Sequence, residues 1–160
     1  MNEDKINRNF LQIYSLYKIN CIEGNLKFEK VCYELKESLI ESGYKCGQDF
    51  EFKRDEFGPR DPGLSRANIK FEIMGLLEIE EELGKKLVTY RIKEKGKKWV
   101  ESLRKYYSKT IPHFSSIITV ADASLEENCN LSGSQIVKKK KYRKQKKRCG
   151  AKKYNNFTST

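Results

Sequence analysis

All of the net charge of this chain lies at one end. Of its 33 Lys and Arg residues, 11 stand in 138–160 beside no Asp or Glu; residues 1–137 therefore carry 22 charges of each sign, and the formal net charge of +11 belongs to the terminal run. The heart of that run, KKKKYRKQKKRCGAKK from Lys138 to Lys153, has too little apolar surface to offset the entropy lost on folding, and its like charges repel. Only the electrically balanced portion can build a core. The tail is expected to stay solvated and disordered, either serving solubility or seeking a polyanion, above all nucleic acid. Its candidate phosphate contacts are Lys138, Lys139, Lys140, Lys141, Arg143, Lys144, Lys146, Lys147 and Arg148. Tyr142 and Tyr154 can stack on unpaired bases or remain solvated. In a eukaryote, Lys138 to Arg148 would also pass as a nuclear address.

The remaining composition excludes several classes. Five cysteines (Cys21, Cys32, Cys46, Cys129, Cys149) are widely spaced with no CxxC or CxxH, so neither a zinc site nor a disulfide framework is expected. That usage suits a reducing interior. The opening MNEDKINRN is polar, unlike a signal peptide, and no run approaches the ~20 apolar residues of a membrane span. A cytoplasmic protein is expected, nucleoid-associated if the source is a prokaryote. Catalysis has little to stand on: His113 is alone, no phosphate-binding glycine loop is present, and Glu80-Glu81-Glu82 reads as a solvated acidic arm. The chain is expected to be no enzyme and to need no cofactor or metal.

Periodicity then places the elements. Ile6, Phe10, Ile13, Tyr14 and Tyr17 recur at three to four, predicting a helix over about 5–19. A second helix, opened by Asn25 as a cap, carries Phe28, Val31, Cys32, Leu35 and Leu39 and stops at Ser42-Gly43. Phe50 and Phe52 alternate with charges, which reads as a short strand. Asp61 is placed to cap a third helix, with Pro62 in its first turn, and Leu64, Ala67, Phe71 and Met74 form its main stripe up to Gly75. Two arms around Gly84 predict a β-hairpin. Trp99, Val100, Leu103 and Tyr106 or Tyr107 then mark a fourth helix from Glu94 to about Tyr107. Residues 110–137, rich in Ser, Thr and Asn, read as a linker holding at most one short element. The expected division is a domain over 1–108, a linker over 109–137 and a disordered basic tail over 138–160. The aromatic residues Tyr14, Tyr17, Trp99, Tyr106 and Tyr107 are expected to close the monomer core, with a homodimer as the other use for them.

Three helices, a hairpin and a last helix follow the winged helix-turn-helix plan, an α+β fold. The stretch Gly75-Leu-Leu-Glu-Ile through Tyr90-Arg91-Ile92-Lys93-Glu94-Lys95-Gly96-Lys97 resembles that family's exit from the recognition helix and its entrance to the last helix, with Lys93 where a capping Thr is usual. Phe28-Glu29-Lys30-Val31-Cys32-Tyr33-Glu34-Leu35, followed by Phe57-Gly58-Pro59, is similar to the YwgA-like and Panacea groups. The first resemblance implies a DNA-binding regulator; the second implies an antitoxin-like module that grips a protein. Together they cover about residues 5–107.

For duplex DNA, the winged-helix reading puts the third helix in the major groove, offering Ser65, Arg66, Asn68 and Lys70 to base edges and phosphates. Arg66 suits guanine and Asn68 suits adenine. Arg60 lies just ahead of that helix as a further contact, and Lys85 and Lys86 at the wing tip would meet an adjacent phosphate. The acidic Glu80–Glu82 arm argues against deep insertion of the wing. The rival readings are a protein-interaction module and an RNA- or ribosome-associated protein in which the tail dominates. No membrane partner is expected.

Overall fold

The computed structural model describes residues 6, 8–55, 58–84 and 87–139. It is an α+β fold: α1 (Arg8–Ile19), β1 (Cys21–Glu23), α2 (Asn25–Glu41), a 3-10 turn (Lys45–Asp49), β2 (Lys53–Asp55), β3 (Gly58–Arg60), α3 (Gly63–Ile73), β4 (Leu77–Glu81), β5 (Val88–Ile92), α4 (Glu94–Thr110) and α5 (Phe114–Asn128), then a helical stretch over 133–139. The strands form an antiparallel sheet in the order β1-β5-β4 and a separate β2-β3 ribbon.

The first helix is the centre of the molecule. Every residue from Phe10 to Leu16 is buried, so it is enclosed on all sides rather than amphipathic. It packs against α2, α4, α5 and the sheet. Its polar members are tied down: Gln12 Nε2 donates to Leu64 O at 2.7 Å, and Ser15 Oγ donates to Gln12 O at 2.6 Å.

Two helices end in the same way. At α2, Gly43 N–H bonds Ile40 O and Tyr44 N–H bonds Leu39 O; at α3, Gly75 N–H bonds Glu72 O and Leu76 N–H bonds Phe71 O. Gly43 and Gly75 sit at φ 88° and 77°, the left-handed residue that this paired closure requires. The start of α2 differs from expectation. Gly24, not Asn25, precedes the helix with no side-chain cap, because the Asn25 amide oxygen instead accepts the Tyr90 hydroxyl. The start of α3 follows expectation in part: Pro62 stands just before the helix rather than as its first residue, and Asp61, one position earlier, accepts the Gly63 N–H on Oδ1 at 2.8 Å. Its other oxygen takes the Glu51 N–H at 2.8 Å and Arg8 Nη1 at 3.0 Å.

The hairpin pairs Leu77 with Ile92, Ile79 with Tyr90 and Glu81 with Val88. Up to the exposed Glu81 near the hairpin tip, that face is apolar and turned inward; the other carries Glu78 opposite Arg91 and Glu80 opposite Thr89. Ile22 of β1 adds to the inner face beside Tyr90.

Two further expectations are corrected. Phe50 and Phe52 do not form a strand: Phe50 is buried after the 3-10 turn, where it packs on Phe52, and β2 begins only at Lys53. Residues 109–137 do not run as a linker. Phe114, Ile117, Ile118, Ala121 and Leu125 of α5, with Ile136 beyond it, belong to the same core as α1 and α2. Their spacing of three and four gives one continuous apolar stripe despite the Ser and Thr between them. The helical stretch after α5 has its own start, in which Ser132 Oγ accepts Gln135 N–H and Gln135 Oε1 accepts Ser132 N–H, a reciprocal cap. This stretch includes Lys138 and Lys139, the first two residues of the expected tail; residues 140–160 lie outside the described residues.

Candidate nucleic-acid interface

The third helix divides sharply. Leu64, Ala67, Asn68 and Phe71 face inward, while Arg66, Ile69, Lys70 and Ile73 face solvent. Arg66 and Lys70 stand one turn apart, and neither has an ion-pair partner among the described residues. Two cations so placed are available to phosphate or to a base edge. The face they share is not wholly polar: Ile69 is 53% exposed, Ile73 80% and Met74 47%.

Asn68 is not available. It is fully buried, and its Oδ1 accepts Gln12 Nε2 at 2.8 Å. The expectation that it reads adenine is therefore corrected: its position one turn after Leu64 puts it on the inner face. Ser65 is half-buried, beside the Tyr90 hydroxyl, which burial pushes above its ordinary range.

The other expected contacts scatter. Arg60 is exposed on β3, but its Nε lies 3.3 Å from Glu29 Oε1, so its charge is already paired. Lys30, buried in α2, holds this strand by donating to Pro59 O at 3.0 Å. Lys85 and Lys86 lie outside the described residues; the hairpin beside them carries exposed Glu78, Glu80, Glu81 and Glu82. Lys138 is exposed, whereas Lys139 pairs with Glu127 of α5. Lys140, Lys141, Arg143, Lys144, Lys146, Lys147 and Arg148 are outside the described residues. What the fold brings together from the expected set is Arg66 and Lys70.

Beside them lies a feature that the sequence reading missed. A groove of about 530 Å³ runs between α1, α3 and α4, floored by Phe10, Ala67, Phe71, Trp99, Leu103 and Tyr107 and edged by Arg8, Arg66, Lys70 and Met74. Arg8 is engaged by Asp61. Gly63 permits that pairing, since a Cβ there would stand 2.5 Å from Arg8 Nη2. Lys95 at the start of α4 donates to Met74 O at 2.8 Å and so closes the end of α3. The aromatic residues expected to close the core do so in part: Tyr14 and Tyr107 are buried and Tyr17 and Trp99 are half-buried, but Tyr106 is exposed. Arg104 stacks over Tyr14 and Tyr17 at 5.7 and 6.0 Å.

Among the described residues, no three His, Cys, Asp or Glu side chains converge as a metal site, and no helix is long and apolar enough to cross a membrane. No family model, no curated protein and no solved structure matches this chain.

Proposed function

We propose that this chain is a winged-helix protein that binds duplex DNA through α3 and regulates transcription by occupying its site. The observation that carries the reading is the pair Arg66 and Lys70, exposed on the outward face of α3 and without ion-pair partners among the described residues. The succession α1, α2, α3, β4-β5 hairpin, α4, with β1 after α1 and the β2-β3 ribbon between α2 and α3, supports it, since those helices and the hairpin follow one another as in the winged-helix plan. Ile69 and Ile73 are compatible with it, because apolar side chains read thymine methyl groups in the major groove. The basic run beyond 137 adds sequence-independent attraction through counterion release. The hairpin contributes little, as its exposed glutamates repel phosphate.

A second reading has an observation of its own. The exposure of Ile69, Ile73 and Met74 together is the kind of apolar patch that seats a protein partner. Selection of bound sequences from a random duplex pool separates the two. Enrichment of a defined sequence, lost on Arg66→Ala with Lys70→Ala, supports DNA reading. No enrichment by the full chain, together with undiminished binding in the double variant, rejects it.

A further inference from the structure

We propose that the groove between α1, α3 and α4 is a binding site for a small organic carboxylate with an aromatic or aliphatic body, and that its occupation releases DNA. The inference rests on the DNA-binding reading for its regulatory half and on the groove itself for the binding half.

Three observations carry it. The first is size. A volume of about 530 Å³ lies within the range of small-molecule sites, roughly 300–1,000 Å³. The second is chemistry. The floor is aromatic (Phe10, Phe71, Trp99, Tyr107), and among the described residues no acidic side chain lines the groove. The third is charge. Of the cations at its edge, Arg8 already faces Asp61 at 3.0 Å. Arg66 and Lys70 have no such partner among the described residues, so the net attraction for an anion is concentrated on α3. A ligand with its ring over the floor and its carboxylate at Arg66 and Lys70 satisfies both halves of the site. The cationic stretch 138–153 of the same chain is disfavoured as occupant by its sign.

The consequence follows from shared residues. Arg66 and Lys70 cannot hold a ligand carboxylate and a DNA phosphate together. Ligand and duplex therefore compete, and by linkage each weakens the other by the same factor.

The chain reports on the site by itself, because its single tryptophan, Trp99, lines the groove. Phenylacetate, 4-phenylbutyrate and 6-phenylhexanoate are titrated into the full-length protein and followed by Trp99 fluorescence, each against its neutral amide. We expect a saturable change with at least one acid, binding about tenfold tighter than its amide. Arg66→Gln and Lys70→Gln should narrow that gap, and Ala67→Leu, which fills the floor, should abolish the response. Circular dichroism checks that each variant folds, and the two surface substitutions keep the test valid if Ala67→Leu does not. A flat response to all three acids, equal binding of acid and amide, or an intact response in folded Ala67→Leu overturns the site. Acid binding that leaves a bound duplex undisturbed overturns the regulation. Acid binding by a chain that binds no duplex leaves the site standing and sinks the DNA reading alone.

Discussion

Asn68 and Gln12 show how one buried contact changes the meaning of a helix. Asn68 is the acceptor for Gln12 Nε2, but its own Nδ2 and Gln12 Oε1 have no partner among the described residues. Asn68→Ala removes a bond and an unsatisfied donor together, so the cost should sit near the low end of the buried-bond range, about 1 kcal/mol. Urea denaturation should show that loss while duplex affinity per folded molecule stays constant; lost affinity at unchanged stability would return Asn68 to the interface. Gly96 is a sterner case. A Cβ there would lie 2.1 Å from Leu76 O, a backbone atom already bonded to Lys93 N–H at 2.9 Å. Gly96→Ala should therefore cost about 2 kcal/mol or more, as overpacking does where nothing can yield, and an unchanged melting temperature would refute the close approach. Cys32 gives a pH signature. Burial pushes its thiol up to about 12, against about 8.5 in an unfolded chain. The neutral thiol is favoured in the fold, so stability is complete below the unfolded value and is lost as pH rises through the folded one. Denaturation at about pH 8 to 11 should show stability falling with pH, by at most about 1.4 kcal/mol per unit for this group. Cys32→Ala should flatten the fall without removing it, because burial also raises Tyr14 and Tyr90. An identical slope in the variant would mean the thiol is not protected.

At the scale of elements, legibility followed clarity of period. The second and third helices could be read because their stripes are made of large apolar residues and end at Gly43 and Gly75. The fifth helix was hidden by composition: Ser115, Ser116, Thr119 and Ser124 look like a linker, yet Phe114, Ile117, Ile118, Ala121 and Leu125 keep helical spacing and are buried. The pair Ser132 and Gln135 was a capping signal in plain view. β1 could not be found locally, since three residues carry no period; its pairing of Ile22 with Tyr90 is set by the distant hairpin. If α5 is core, Leu125→Ala should cost about 2–5 kcal/mol, as a buried leucine does. Equilibrium unfolding measures this, and a change under about 0.5 kcal/mol, normal for an exposed position, would restore the linker.

At the scale of the whole molecule, the net charge lies in 138–160 and residues 1–137 sum to zero. In the proposed reading the neutral body supplies geometry, and the cationic run supplies long-range attraction that weakens with salt. The sequence made this division legible because charge needs no three-dimensional information. It could not reveal that Arg60 is paired with Glu29, that Asn68 turns inward, or that Trp99 lines a groove, because each depends on residues far apart in the chain. What survives as the candidate interface is small: Arg66 and Lys70 on an outward helix. The most direct test is fluorescence anisotropy on a selected duplex across a salt series, comparing the full chain with its Arg66→Ala, Lys70→Ala form. The account predicts at least tenfold weaker binding, about 1.4 kcal/mol or more, with a salt slope flatter by roughly 1 for the lost phosphate contact. Equal affinity and an equal slope in the two proteins would contradict it, leaving attraction to the tail alone.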